Sequence, residues 1–189
     1  MSGKKRAQRK GRLPGDPSLP ELVERMVRVD HAGEYGAVRI YQGQLAVLGG
    51  ARSETAEAIR AMAETEKRHL DAFDAMVAER RVRPTALLPL WHVAGFALGA
   101  ATALLGERAA MACTVAVEEV IDEHYARQVE ALGEDEPALG RAFEEFRREE
   151  VEHRDAALAH GAAAAPGYEP LTALIKAGSR IAIWLSERI

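Results

Sequence analysis

Apolar Ala and Leu mix with polar Glu and Arg in long stretches that contain few β-branched runs, a pattern that favours α-helices. Glycine and proline separate these stretches. They predict helices at about 19–48, 54–80, 86–105, 107–132, 137–160 and 170–188. The paired Gly49 and Gly50 end the first helix, and Gly133 ends the fourth. The sequence therefore predicts an all-helical domain.

The chain also contains an internal repeat with a shift of 84 positions. The shift places Glu34 on Glu118, Glu66 on Glu150, His69 on His153, Tyr41 on Tyr125, Gln44 on Gln128, and Asp71 on Asp155. Each half is thus a helical hairpin with one Glu on its first helix and Glu-x-x-His on its second. Two such hairpins predict a four-helix bundle, in which the third helix crosses between the hairpins and the sixth is an addition.

The repeated residues have the spacing of a metal site. Residues three apart on a helix share one face, so each Glu-x-x-His aims a carboxylate and an imidazole the same way. One Glu from each of two helices and Glu-x-x-His from each of the other two is the ligand set of ferritin-like di-iron carboxylate proteins. Carboxylates and imidazoles suit iron or manganese. The predicted metal ligands are Glu34, Glu66, His69, Glu118, Glu150 and His153.

The repeat also separates Glu150 from its neighbour. Glu149 is four residues before His153 and could pair with it, but its repeat counterpart is Thr65. Glu150 is therefore the preferred ligand. We expect Glu149 to face solvent, so that its replacement by Gln retains most activity.

Other polar residues near the predicted ligands leave alternatives open. His31 lies three residues before Glu34, and a helix-capping or ligand-supporting role is favoured over ligation. Tyr41 and Tyr125 each lie two turns after a ligand Glu. They could hydrogen-bond a ligand, relay an electron or pack as core tyrosines. His124 has no histidine counterpart in the repeat, so its default role is a packed or surface histidine.

Two glycines, Gly33 and Gly36, flank Glu34 within the first helix. A glycine inside a helix costs about 1 kcal/mol relative to alanine. The pair therefore predicts that a neighbouring helix or a substrate approaches closely at this point.

Residues 84–106 contain no Asp, Glu, Lys or Arg. Their length alone would allow a transmembrane helix, although Pro89, Gly95 and Gly99 weaken a straight span. One span would place the two hairpins on opposite sides of the membrane, and their ligands could not meet. We therefore expect this segment to pack on the bundle, to dip into one leaflet, or both.

The last predicted helix is amphipathic. Leu171, Leu174, Ile175, Ile181, Ala182 and Leu185 form one stripe, with Lys176 and Arg180 opposite. Such a helix suits a membrane interface or ordinary core packing. Together with the uncharged third helix, it predicts a protein on one side of a membrane with an apolar entrance for a lipid substrate.

The start of the chain differs in composition. Lys4, Lys5, Arg6, Arg9, Lys10 and Arg12 crowd residues 1–18, which we interpret as a disordered tail or a contact for an anionic membrane. No apolar segment follows, so we do not expect a secretory signal. Residues 19–189 form the predicted ferritin-like domain. The single cysteine, Cys113, lies in an apolar run and is expected to be buried.

Several stretches resemble the demethoxyubiquinone hydroxylase family, the di-iron monooxygenases of ubiquinone biosynthesis. They are VDHAGEYGAVRIYQGQ, ETEKRHLDAF, ACTVAVEEVIDEHY, FRREEVEHRDAAL and AGSRIAIWLSERI. The resemblance covers about residues 20–189 and departs at no ligand position. It implies the same six residues as ligands of two irons, with Glu66 and Glu150 bridging. His124 and Tyr125 lie in one of these stretches, and we rank Tyr125 first as a residue that supports a ligand.

The resemblance implies hydroxylation of a prenylated demethoxyubiquinol ring with dioxygen and two electrons. It also implies a peripheral position on the cytoplasmic face of the cell membrane. Other proteins of ubiquinone biosynthesis are candidate partners, and we expect no nucleic-acid partner. No Gly-x-Gly-x-x-Gly fingerprint follows a strand, so the electron donor stays open.

The metal ligands alone leave other functions open. An iron-storage protein or ferroxidase of the ferritin type would use the same set, and so would a radical-generating subunit with Tyr41 or Tyr125. The uncharged residues 84–106 and the amphipathic last helix favour the quinol hydroxylase, because a soluble storage protein needs neither.

Overall fold

A computed structural model describes residues 15–189, so most of the predicted tail, residues 1–14, lies outside the described residues. Six α-helices account for most of this range. They are α1 (Leu19–Leu48), α2 (Glu54–Arg80), α3 (Leu88–Leu104), α4 (Glu107–Leu132), α5 (Pro137–Ala159) and α6 (Tyr168–Ser186). A short 3-10 turn, Ala162–Ala164, precedes α6. Between residues 15 and 189 there is no strand, and the predicted all-helical class is confirmed.

Local signals account for the ends of the helices. The Ser18 side chain accepts from the Glu21 N–H, and the Glu21 carboxylate accepts from the Ser18 N–H, which together form a capping box at the start of α1. Gly49 follows α1 as predicted. Gly133 follows α4 with φ of 54°, a left-handed value that favours glycine. Pro137 opens α5, where its missing N–H costs nothing.

The two predicted hairpins, α1–α2 and α4–α5, form a ferritin-like four-helix bundle. Buried apolar side chains fill both of its ends. One cluster includes Tyr41, Ile59, Met62, Met111 and Val115, and the other includes Val23, Met26, Val27, Phe73, Tyr125 and Phe143. The predicted metal ligands lie between these two clusters along every helix of the bundle. Each hairpin therefore contributes one wall of a polar layer inside an apolar core.

Helix α3 packs directly on α1 through glycines. A Cβ atom on Gly99 would lie 1.9 Å from the carbonyl oxygen of Ile40, and one on Gly43 would lie 2.2 Å from that of Phe96. Only glycine allows the two backbones to approach this closely. The expectation that this segment packs on the bundle is confirmed. Gly99 is thus a packing contact between α3 and α1.

Helix α6 packs on α4, but its predicted single apolar stripe is wrong. Ile175 is buried against α4, whereas Leu174 and Ile181 are 72% and 59% exposed. Lys176 and Arg180 form ion pairs with glutamates of α4. The helix thus has one mixed face toward the bundle and a second, apolar face away from it.

Helices α3 and α6 both cover the side of the bundle formed by α1 and α4. Their ends meet where the Trp91 indole N–H donates to the Ser186 hydroxyl at 3.0 Å. Their outward faces carry the exposed apolar residues Leu90, Val93, Leu104, Leu105, Leu174, Ile181 and Trp184. In residues 15–189, no helix combines the length and apolar character that crossing a membrane requires.

Candidate metal centre

The structure brings all six predicted ligands together inside the bundle, and each is at most 7% exposed. They form two groups of four. One group is Glu34, Glu66, His69 and Glu150, and the other is Glu66, Glu118, Glu150 and His153. Within each group, one side-chain oxygen or nitrogen per residue lies within 4.8 Å of the others. Glu66 and Glu150 belong to both groups, which is the arrangement expected of bridging carboxylates.

The ring nitrogens of both histidines face these carboxylates. Nδ1 of His69 lies 3.1 Å from Glu150 and 3.4 Å from Glu34. Nδ1 of His153 lies 3.0 Å from Glu66 and 3.3 Å from Glu150.

These facing atoms are not aligned for hydrogen bonds with one another. Both Nδ1 atoms, one oxygen of Glu66 and one of Glu150 are buried without a hydrogen-bond partner. Buried polar atoms without a partner are costly, and a shared metal cation would satisfy them. Each of the two groups of residues could therefore hold a metal ion.

The carboxylates respond to one another's charge. Burial raises the pKa of Glu34. Burial and the charge of Glu150 raise the pKa values of Glu66 and Glu118 well above their usual range. Glu150 behaves differently: burial would raise its pKa, but the two histidines lower it to about 2. Burial and mutual repulsion thus favour the protonated forms of Glu34, Glu66 and Glu118, and a bound cation would favour their ionised forms.

Burial alone would lower the pKa of both histidines, since it disfavours the charged imidazolium. The carboxylates reverse this effect. Glu150 and Glu34 raise the pKa of His69 to about 12, and Glu150 and Glu66 raise that of His153 to about 9. The same negative field that holds protons on the imidazoles would attract a divalent cation.

Two buried tyrosines bond carboxylates of the predicted ligands across the bundle. The Tyr125 hydroxyl donates to Glu34 at 2.6 Å, and the Tyr41 hydroxyl donates to Glu118 at 2.9 Å. Each tyrosine therefore bonds a glutamate of the other hairpin, although sequence spacing relates it to the glutamate of its own helix. Burial raises the pKa of both tyrosines well above 10, so both remain hydrogen-bond donors at neutral pH.

His124 is buried and belongs to a polar network beside the hydrogen bond between Tyr125 and Glu34. Its Nε2 lies 2.9 Å from Oδ1 of Asp30, and the Gln128 amide donates to the same oxygen at 2.9 Å. Burial raises the pKa of Asp30, while the contact with His124 opposes that shift. Asp30 was missed in the sequence, although it lies one turn before Glu34 on the same helix face.

Glu149 does not face solvent, so that prediction is wrong. Its Oε2 lies 2.6 Å from Nε2 of His69, and its side chain is only 21% exposed. Successive helix residues point about 100° apart, which turns Glu149 from the centre of the bundle toward α2. It therefore bonds the histidine of the other hairpin, and not His153.

The remaining predictions near Glu34 have simpler outcomes. His31 is buried within α1, too far from the helix end to cap it, and its Nε2 lies 2.9 Å from Asp74 on α2. At Gly36 a neighbouring helix does approach, because a Cβ on Gly95 of α3 would lie 2.9 Å from the Gly36 carbonyl oxygen. Gly33 instead borders an open crevice.

A cavity of about 440 Å³ opens between α1, α4 and α6. It is lined by Leu22, Arg25, Met26, Val29, His124, Arg127, Gln128, Arg180, Ile183, Trp184 and Glu187. Val29, His124 and Ile183 also line a narrow crevice that reaches Glu34. The cavity therefore lies beside α6, and Val29, His124 and Ile183 stand between it and Glu34 of the predicted metal site.

A family model described as "Ubiquinone biosynthesis protein COQ7" matches residues 21–186. The chain belongs to this family. The match includes all six predicted ligands and all but the first two residues of the six helices, so the site lies in the part of the chain that COQ7 proteins share.

Curated relatives carry related names. The chain is 60% identical over 188 residues to the "3-demethoxyubiquinol 3-hydroxylase" of Rhodospirillum rubrum, covering 100% of this chain and 87% of that protein. It is 54% identical over 171 residues to the human mitochondrial "NADPH-dependent 3-demethoxyubiquinone 3-hydroxylase", covering 88% and 78%. It is 39% identical over 183 residues to the "5-demethoxyubiquinone hydroxylase" of Saccharomyces cerevisiae, covering 89% and 78%.

Proposed function

We propose that this chain is a di-iron monooxygenase that hydroxylates the ring of a prenylated demethoxyubiquinol in ubiquinone biosynthesis. One observation carries the proposal: two buried groups of carboxylates and histidine share Glu66 and Glu150 in a COQ7 protein. The names of its relatives supply the substrate class. Four glutamates also balance the charge of two divalent ions, and this neutrality lowers the free-energy cost of burying a metal pair.

Glu34 and His69 would hold one iron, Glu118 and His153 would hold the other, and Glu66 and Glu150 belong to both groups and could serve both irons. When bound, the iron pair supplies the redox chemistry that places one oxygen atom of dioxygen on the ring and releases the other as water, at the cost of two electrons. The protein fixes the ligands. Tyr125 and Tyr41 hold Glu34 and Glu118 through hydrogen bonds, which restricts the rotamers of both carboxylates.

The substrate would enter through the cavity beside α6. A quinol ring there lies next to Val29, Ile183 and His124, which separate the cavity from Glu34. The apolar lining residues Leu22, Met26 and Trp184 would contact the prenyl chain, and His124 with Asp30 would supply a polar edge for the ring. A ring bound in this way would face the site, and its apolar tail would remain on the α6 side.

We further propose a peripheral position at a membrane, with the cytoplasmic face of the cell membrane as the expected location. The outward faces of α3 and α6 expose Leu90, Val93, Leu104, Leu174 and Ile181 on the side where the cavity opens. Large exposed apolar patches indicate a membrane or a partner protein. A prenylated substrate dissolved in the membrane would then reach the cavity without crossing water.

The test uses purified protein loaded anaerobically with ferrous iron. We expect about two irons per chain by elemental analysis. On addition of a reduced demethoxyubiquinol, an electron donor and isotopically labelled dioxygen, mass spectrometry should show one labelled oxygen atom in the product. Oxidation of iron without any hydroxylated product would support the ferroxidase alternative, and one metal per chain would contradict the iron pair.

A further inference from the structure

The two halves of the site differ in how their histidines are supported. Nε2 of His69, the nitrogen that faces away from the predicted metals, lies 2.6 Å from Oε2 of Glu149. Within residues 15–189, no carboxylate forms the equivalent bond to Nε2 of His153. The repeat explains the difference, since the position that matches Glu149 is occupied by Thr65. The Thr65 hydroxyl donates instead to a backbone carbonyl of its own helix.

Other contacts also distinguish the two halves. The His69 ring packs against Phe146 with centroids 4.6 Å apart, and the position that matches Phe146 is Met62. Nη2 of Arg68 lies 3.7 Å from the same Glu149 oxygen. The Glu149 carboxylate is thus held between His69 and Arg68, and the His69 ring is fixed at its far nitrogen and at one face.

A carboxylate that accepts from the distal N–H of a ligand histidine has known consequences. It fixes the tautomer and the ring orientation and makes the coordinating nitrogen more basic. Loss of such a partner typically weakens metal binding by about 10–100-fold. Among the residues that the structure describes, only His69 has such a partner, so the effect would apply to one metal of the pair.

We propose that Glu149 is a positioning residue for His69 and that it makes the two metal positions unequal. The metal beside His69 and Glu34 is bound first and more tightly, and the metal beside His153 and Glu118 is bound second and exchanges more readily. This inference rests on the proposed metal pair but goes beyond it, since a di-iron site could equally bind its two metals alike.

The experiment is an anaerobic titration of the metal-free, full-length protein with isotopically enriched ferrous iron, followed by Mössbauer spectroscopy. In the wild-type protein, we expect the Mössbauer signal of one ferrous site to reach its full intensity before that of the other site appears. In Glu149→Ala the first dissociation constant should rise about 10–100-fold, and the two signals should grow together. Glu149→Gln retains an acceptor oxygen without its charge, so its effect should be smaller.

Glu152→Ala is the matched control, because Glu152 is an exposed glutamate of the same helix next to His153. It should leave the order of filling unchanged. A general loss of structure in Glu149→Ala would weaken both positions and alter the circular dichroism spectrum. The order and affinity of iron binding in Glu149→Gln would then decide the inference. Sequential filling with unchanged affinities in Glu149→Gln and Glu149→Ala would overturn the inference.

The outcomes also separate this inference from the proposed function. Two ferrous ions bound with equal affinity in the wild-type protein would refute the inequality and leave the iron pair intact. Failure of the wild-type protein to bind a second ion would instead refute the pair itself.

Discussion

Tyr125 and Tyr41 cross between the hairpins to reach Glu34 and Glu118. A single hairpin therefore contains neither a complete ligand set nor the hydroxyl groups that orient its own first-helix glutamate. The position of each carboxylate depends on correct docking of the two hairpins. Small changes in that docking would alter both halves of the site together.

The shared carboxylate Glu150 provides a test with a single substitution. Glu150→Gln preserves the size of the side chain but removes a charge, leaving three carboxylates against two divalent ions. We expect hydroxylation to be abolished and iron content to fall from about two per chain to below one, because both groups of four include Glu150. The helical circular dichroism spectrum should persist.

The control for this substitution must avoid Glu149, which bonds His69. Exposed Glu152 offers the same change of charge on the same helix. Glu152→Gln should keep its iron and most of its activity. Iron retention in Glu150→Gln would show that another carboxylate replaces it in both groups.

The sequence was informative about the ligands for a physical reason. The 84-residue repeat marks positions that two symmetric halves must share, and all six repeated Glu and His residues meet in the structure. The bond between Glu149 and His69 breaks that symmetry, as does the one between Asp30 and His124. Each of these bonds joins two different helices. The spacing of residues along the sequence does not specify how those helices are rotated relative to each other, so the repeat could not reveal the bonds.

The contact between α1 and α3 is held by close backbone approach rather than by large side chains. Gly99→Ala would place a methyl group 1.9 Å from the Ile40 carbonyl oxygen, and α3 would have to shift. We expect the free energy of unfolding to fall by about 1–3 kcal/mol, as for other overpacked sites. Urea unfolding followed by circular dichroism measures the change.

Gly178, in the middle of α6, provides the control for Gly99→Ala, because a Cβ atom there meets nothing within 4 Å. Gly178→Ala should raise the free energy of unfolding by about 0.5–1 kcal/mol through improved helix propensity. Equal destabilisation by both alanine substitutions would mean that the loss does not come from the contact between α3 and α1.

The helices themselves could be predicted closely, because Gly133 and Pro137 act on the local backbone whatever surrounds them. The orientation of α6 could not. Its apolar residues suggested one stripe, yet Ile175 packs on α4 while Leu174 and Ile181 point outward. When a helix is apolar on two sides, its composition does not reveal which side the rest of the protein covers.

The molecule as a whole has three layers: α2 with α5, α1 with α4, and α3 with α6. The predicted metal ligands lie between the first two layers, and the cavity opens at the third. The exposed apolar residues lie on that same third layer. A membrane bound there would leave the loops at the tips of both hairpins on one side.

Vesicle sedimentation tests this orientation. Each exposed Leu or Ile that becomes buried in lipid contributes about 1.5–3 kcal/mol. We expect Leu174→Glu combined with Ile181→Glu to lower the partition coefficient at least about tenfold. Ala61→Glu combined with Ala159→Glu adds the same charge to exposed positions of α2 and α5 and should bind vesicles nearly as well as the wild-type protein.

Cysteines introduced at Arg52 and Glu134, near the hairpin tips, extend the test. An impermeant thiol reagent should label both from the same side of an intact bilayer, while Cys113 is buried and stays unlabelled. Labelling from opposite sides would rule out a shared site. Equal vesicle binding by the two double glutamate variants would show that the membrane contact does not include α6.

The hydrogen bonds that Tyr125 and Tyr41 form between the hairpins bear on how the two halves of the chain could evolve. Two copies of one hairpin related by a two-fold axis would contain the same bond twice, with residue i of each copy meeting residue j of the other. Such a dimer could never differ between its two halves, since every substitution would appear in both. Fusion of the copies through α3 removes that restriction. Asp30 could then arise opposite His124 while its counterpart became Thr114, and each half was free to acquire a separate task.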